Sequence, residues 1–165
     1  VIAYLGLGSN VGDRLTLLGQ VVRALQEAGA RSPRATGPAL RVLRSSSVYE
    51  TVAIGAEGAE KPEQPPYLNA VLEIEVAIGP EELWWLTAGI EVALGRTSGP
   101  RFAPRTVDID LLLFGDQTLA RPELTIPHPR MFERGFVMMP LQELLPARWP
   151  VWVASGVERF AGPLL

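Results

Sequence analysis

Asp108-Ile109-Asp110 is the stretch of this sequence best equipped for chemistry. On a β-strand, side chains alternate between faces, so both carboxylates would stand on one side with their Cα atoms about 7 Å apart. Val107, Ile109 and Leu111 would point to the other side. Two carboxylates so placed can bridge a pair of Mg²⁺ ions that also bind the oxygens of a polyphosphate. Taken alone, an Asp-x-Asp pattern on a sheet is also readable as a solvated face, its commoner use.

The segment just before it changes the balance. Gly95-Arg96 runs through Arg101-Phe102-Ala103-Pro104-Arg105-Thr106, a loop rich in arginine that contains an aromatic ring. Guanidinium forks match phosphate oxygens, so cations on one side and acidic metal ligands on the other make a triphosphate site. A solvated connection is the alternative reading of that loop. All of the fifteen basic residues except Lys61 are arginine. A GC-rich or heat-adapted proteome would account for the excess. It would not account for the clustering of Arg96, Arg101, Arg105, Arg121, Arg130 and Arg134.

Composition sets the outer limits. A chain of 165 residues, 47% hydrophobic and 20% charged, suits one globular domain with its own core. It contains no cysteine and a single histidine, His128, which excludes thiolate chemistry and disfavours a zinc site. The net charge of −3 argues against a surface that tracks nucleic-acid phosphates. The apolar runs at residues 1–7 and 109–114 are far shorter than a membrane span, and no charged segment precedes the first. The expectation is a cytoplasmic protein.

Elements that could position the aspartates follow from periodicity. Residues 1–7 alternate as a strand, Gly6, Gly8 and Gly12 lead into a helix, and Leu15, Leu18, Val22 and Leu25 form its apolar stripe, with Gly29 and Pro33 closing it. Ser9 or Asn10 is a candidate cap for that helix. Residues 40–52 read as one strand, 55–66 as a loop, and 68–78 as a strand with one largely polar face. A second helix starts at Pro80 and ends at Gly95, with Leu83, Leu86, Ile90 and Leu94 on its stripe. Residues 107–114 form the next strand, followed by a short helix near residues 136–145 and a strand near Val151. The order βαββαβ plus a tail, with alternating strands, predicts an α+β fold: a ferredoxin-like antiparallel sheet backed by helices, with a C-terminal extension. Residues 1–165 are read as a single catalytic domain.

Other candidate residues are open to two readings. The turn Gly6-Leu7-Gly8-Ser9-Asn10-Val11-Gly12 lacks dinucleotide spacing, and no Walker A pattern occurs. Tyr67, Asn69 and Phe136 could sandwich and hydrogen-bond a flat heterocycle, or serve packing. His128, between two prolines, suits a structural role or a phosphate contact. Glu91 borders the stripe of the second helix, where a solvated flank is the default.

Together and in this order, these residues resemble the 6-hydroxymethyl-7,8-dihydropterin pyrophosphokinase family. The likeness runs from Tyr4-Leu5-Gly6-Leu7-Gly8-Ser9-Asn10 to about Leu145. It includes Ser47-Val48-Tyr49-Glu50-Thr51, Pro66-Tyr67-Leu68-Asn69-Ala70, Ile90-Glu91 to Gly95-Arg96, and the run from Pro104-Arg105-Thr106 to Phe114-Gly115. Ile126-Pro127-His128-Pro129-Arg130-Met131 and Arg134-Gly135-Phe136 complete it. Phe102 stands where relatives often carry a tryptophan, and Val52-Ala53 where a Pro-Pro pair is common.

The resemblance implies transfer of pyrophosphate from ATP to 6-hydroxymethyl-7,8-dihydropterin, giving AMP, in folate biosynthesis. It implies that Asp108 and Asp110 bind two Mg²⁺ ions and act in catalysis with Arg96 and Arg105. The pterin would be held by Thr51, Val52, Ile54, Tyr67, Asn69 and Phe136. ATP would be held by Glu91, Arg101, Phe102, Ile109, Thr125, His128 and Arg134. The expected partners are these small molecules, with no nucleic acid and no membrane, and a monomer is expected. The rivals are a two-metal phosphohydrolase that uses the same aspartates without a pterin pocket, and a ligand-sensing module without chemistry.

Overall fold

The computed structural model describes residues 1–31, 37–54, 58–95, 107–149 and 151–165. Its strands are β1 (Ile2–Ser9), β2 (Leu40–Ser45), β3 (Val48–Thr51), β4 (Tyr67–Val76), β5 (Asp108–Phe114), β6 (Leu119–Ala120), β7 (Thr125–Ile126) and β8 (Val157–Ala161). The helices are α1 (Arg14–Arg31), α2 (Pro80–Ala93) and α3 (Gly135–Leu144). The main sheet runs β5-β1-β4-β3-β8, with β2 also paired to β4, and every pairing is antiparallel. With β2 and β3 counted as one interrupted strand, this is the strand order expected of a ferredoxin-like core. The α+β expectation therefore holds, and β8 and α3 are the C-terminal additions.

One face of the sheet carries the main core. Leu5 and Leu7 of β1, Leu68, Ala70, Leu72 and Ile74 of β4, and Ile109 and Leu111 of β5 pack with Leu18, Val22 and Leu25 of α1 and Leu83 and Ile90 of α2. Each fully buried leucine contributes about 2 kcal/mol by leaving water. The aspartate at position 13, rather than Ser9 or Asn10, caps α1: its Oδ1 accepts from the Thr16 N–H at 3.2 Å. The Asn10 amide donates instead to the Pro65 carbonyl at 3.1 Å, tying the end of β1 to the loop before β4. Gly29 does not end α1 but lies inside it, because a Cβ there would stand 2.1 Å from the Leu40 carbonyl oxygen. At the end of α2, Gly95 takes φ +98°, as its sequence position predicts.

The second face departs from expectation. The side of β4 that bears Asn69, Val71 and Glu73 is buried, with only Glu75 exposed. The cover is a second apolar cluster in which Tyr4, Val71 and Leu112 meet Val137, Met138, Leu141 and Leu144 of α3. The segment at residues 40–52 is two strands, because Ser46 steps out of the ladder. Its N–H donates to the Val71 carbonyl at 2.9 Å and its Oγ accepts from the Val71 N–H at 2.8 Å. The tail strand is not at Val151, which is exposed; it is β8, paired to the edge of β3. Among the described residues, no helix is long and apolar enough to cross a membrane.

Candidate active site

β5 carries Asp108 and Asp110 on the face opposite Ile109 and Leu111, both carboxylates half-buried. The neighbouring strand is β1, and the register sets Gly8 beside Asp108 and Gly6 beside Asp110. Across β1 lies β4, where Gly8 meets Asn69 and Gly6 meets Val71. Next is β3, with Tyr49 beside Asn69 and Thr51 beside Tyr67. One row of cross-strand neighbours therefore runs Asp108, Gly8, Asn69, Tyr49. Three strand spacings separate β5 from β3, about 14 Å.

Along this row the sheet surface opens into a cavity of about 640 Å³. Gly6 and Gly8 form part of its lining between the acidic pair and Asn69. Both are strand residues, not the turn that the sequence suggests, and of the three glycines only Gly12 has a positive φ, +80°. Thr51, Val52, Ile54, Tyr67, Asn69 and Phe136 all line the cavity, and so do Asp108, Asp110, His128 and Arg134. The fold thus brings together residues from sequence positions more than eighty apart. Asn69 is 5% exposed, and its Nδ2 is a buried donor that meets no hydrogen-bond acceptor among the described residues. Such a group is costly unless a ligand acceptor meets it.

At the acidic end, Asp110 meets a guanidinium and an imidazole. Asp110 Oδ2 lies 3.7 Å from the Arg134 guanidinium and 3.9 Å from His128 Nε2. Burial, reinforced by Arg134, pushes the His128 pKa down to about 4, against the opposite pull of Asp108. The ring is therefore neutral at pH 7. Its Nδ1 accepts from the Arg130 N–H at 3.2 Å, which leaves the proton on Nε2, facing Asp110. The His128 N–H itself donates to the Leu112 carbonyl at 2.9 Å, fixing this loop to β5. The Arg134 guanidinium also sits 5.7 Å from the centre of the Phe136 ring, linking the cationic and aromatic parts of the cavity.

Three residues expected at the nucleotide are not among those lining this cavity. Ile109 has its side chain in the helix-side core. The Thr125 hydroxyl donates to the Arg121 carbonyl at 3.2 Å. Glu91 is buried on α2 and its Oε1 accepts from the Ile109 N–H at 2.6 Å, so it supports the strand between the two aspartates. Arg96, Arg101, Phe102 and Arg105 lie outside the described residues. Sequence reasoning missed Gly6 and Gly8, whose period of two was the available signal. It noted Arg130 only as one of the clustered arginines, and missed Glu133 and the stretch from Ala154 to Val157; all of these line the cavity. Among the described residues, no group of three or more His, Cys, Asp or Glu could hold a metal ion by itself.

Comparison with known proteins gives a consistent outcome. The pattern of the 7,8-dihydro-6-hydroxymethylpterin-pyrophosphokinase family matches residues 4–146. A Bacillus subtilis 2-amino-4-hydroxy-6-hydroxymethyldihydropteridine pyrophosphokinase is 43% identical over 143 residues, covering 87% of this chain and 77% of the relative. A Methylorubrum extorquens protein of the same name is 37% identical, covering 87% and 82%. The mitochondrial folate synthesis bifunctional protein of Pisum sativum is 36% identical over 86% of this chain, which spans only 24% of that longer protein. A crystal structure of an HPPK-DHPS in complex with substrates superposes with a TM-score of 0.63 at 14% identity, covering 88% of this chain and 40% of the other; at that identity the likeness supports the fold alone. The chain belongs to the 7,8-dihydro-6-hydroxymethylpterin-pyrophosphokinase family.

Proposed function

We propose that this chain transfers the pyrophosphoryl group of ATP to the hydroxymethyl oxygen of 6-hydroxymethyl-7,8-dihydropterin, releasing AMP, as a step of folate synthesis. The observation that carries this reading is the shared cavity: an acidic pair at Asp108 and Asp110 and, on the same cross-strand row beyond Gly8, the buried Asn69 Nδ2 that meets no acceptor among the described residues. A phosphohydrolase would have no use for the second feature.

The pterin lies between Tyr67 and Phe136, with Asn69 Nδ2 donating to an acceptor on its edge and the backbone or side chains of Thr51, Val52 and Ile54 completing the recognition. Asp108 and Asp110 offer hard oxygen ligands on a half-open face, too few for a closed protein cage. That suits Mg²⁺, a hard cation held through one or two carboxylates together with substrate phosphates. Asp108 and Asp110 would hold two such ions, which would supply positive charge against the phosphate oxygens. Arg134 and the Nε2–H of His128 approach Asp110 and donate to phosphate oxygens beside it. The family resemblance adds Arg96 and Arg105 as contacts of the triphosphate and Arg101 and Phe102 as contacts of ATP, while Glu91 supports β5 through the Ile109 N–H.

In the transfer itself, the hydroxymethyl oxygen attacks the β-phosphorus in line. The bond from that phosphorus to the bridging oxygen of the α-phosphate breaks, and AMP leaves. Asp108 or solvent takes the hydroxyl proton, and no strong base is needed. Action as a monomer in the cytoplasm, by residues 1–165 as one catalytic domain, belongs to the same proposal; the family match over residues 4–146 supports the catalytic domain.

The test is AMP release from ATP and Mg²⁺ with and without the pterin. AMP that requires the pterin, and is lost in Asp110→Ala, is the expected result. AMP formed equally without pterin, or none under any condition, contradicts the reading.

A further inference from the structure

The family match stops at residue 146, yet part of the cavity wall comes from beyond it. Ala154, Ser155, Gly156 and Val157 all line the cavity. What holds them there is specific. Gln142, on α3, uses both ends of its side-chain amide on one residue of the segment: Nε2 donates to the Trp152 carbonyl at 2.9 Å, and Oε1 accepts from the Trp152 N–H at 2.7 Å. A donor and an acceptor on the same residue fix both position and orientation.

The segment is also pressed against the start of α3. A Cβ on Gly135 would stand 2.3 Å from the Ala154 Cβ and 3.7 Å from Val157 Cγ2, so only glycine admits the segment at this distance. At its far end Val157 pairs with Thr51 across β3 and β8. One short stretch of chain therefore joins the helix start that carries Phe136 to the strand end that carries Thr51.

We infer that residues 152–157 form a positioning wall for the heterocycle, and that Gln142 is the positioning residue that sets it. Resting on the pterin reading given above, the inference deepens it: the gap between Phe136 and Thr51 is fixed by a segment outside the family match. A flat ring held between two groups is sensitive to their spacing, and a misplacement of about 1 Å can cost on the order of a hundredfold. The wall touches the heterocycle side of the site, whereas the acidic pair stands on β5, at the other side of the sheet row. Loosening the wall should therefore act on the pterin and spare ATP.

Steady-state kinetics of the full chain tests this, with the KM for each substrate measured at saturation of the other. Gln142→Ala is expected to raise the pterin KM by roughly tenfold or more while the ATP KM stays within about twofold. Gly135→Ala should do the same by displacing Ala154, and the double variant Gly135→Ala/Ala154→Gly, which removes the clashing atom, should return the pterin KM to within about threefold of wild type. Should Gln142→Ala not fold, the Gly135 and Ala154 pair decides alone. Unchanged KM values, a parallel rise for both substrates, or failure of the double variant to recover would each overturn the wall. Absence of pterin-dependent AMP from the wild type would be a different failure, that of the activity itself, and would remove the wall's substrate with it.

Discussion

Glu91 on α2 accepts a 2.6 Å hydrogen bond from the N–H of Ile109, the residue that separates Asp108 from Asp110. Both partners are buried, at 7% and 6% exposure, so loss of the acceptor leaves a backbone donor stranded. Glu91→Ala is expected to destabilise the fold by about 2 kcal/mol and to lower kcat by roughly tenfold or more, because the aspartates lose their common support. Glu91→Gln keeps an acceptor oxygen and should recover most of both. Denaturant unfolding together with single-turnover rates checks this; wild-type kcat in Glu91→Ala would reduce the contact to packing.

Gly8 separates the acidic pair from Asn69, and its role is absence of bulk. A Cβ there would meet Asn69 Oδ1 and Tyr67 Cδ1 at 3.5 Å each, ordinary contact distances that do not strain the strand. Gly8→Ala should therefore match or exceed wild-type stability by about 0.5 kcal/mol, since alanine gives up less chain entropy on folding. The added methyl narrows the cavity floor and should weaken pterin binding by about tenfold. Thermal melts and pterin titration check the two halves separately.

Stability at the pH extremes should follow the group formed by buried Tyr4 and Glu73 with the more exposed Arg44. The Tyr4 hydroxyl donates to Glu73 Oε2 at 2.7 Å, Arg44 donates to both oxygens of that carboxylate, and Arg44 also reaches the Leu144 carbonyl at 3.0 Å. The Arg44 hydrogen bond is the largest of the influences that hold the Glu73 pKa below its usual value. A depressed carboxylate pKa contributes stability above the unfolded pKa, which is lost as pH falls through the folded one. Burial, with the hydrogen bond to Glu73, raises the Tyr4 pKa to about 12, so its contribution is complete below the unfolded value and is lost as pH rises through about 12. Tyr4→Phe should cost about 2 kcal/mol at neutral pH and remove the alkaline part of this dependence. Unfolding free energies measured across pH for both proteins provide the check.

Periodicity made β1, α1, β4, α2 and β5 legible, because each has an apolar set that must face one core. The second face of β4 was not legible: Asn69 and Glu73 look like solvent-facing residues, and only the approach of α3, Tyr4 and Arg44 converts them into buried ones. The break between β2 and β3 depends on Ser46 taking both hydrogen bonds of Val71, an arrangement that local propensity does not encode. Val151 and Val153 have strand character but stay exposed, while Val157–Ala161 pairs because the edge of β3 is available there. At the site, Asp108, Asp110, Tyr67, Asn69 and Phe136 could be singled out from residue type and resemblance. Ala154 to Val157 could not, since their place in the cavity follows from tertiary docking.

Labelled ATP shows directly which phosphorus is attacked. With label in the α-phosphate or the β-phosphate in separate reactions, α-label is expected in AMP and β-label in the pterin product, both only when the pterin is present. Label from the β-phosphate in ADP, which attack on the γ-phosphorus would give, or label from the α-phosphate in the pterin product, which attack on the α-phosphorus would give, would contradict it.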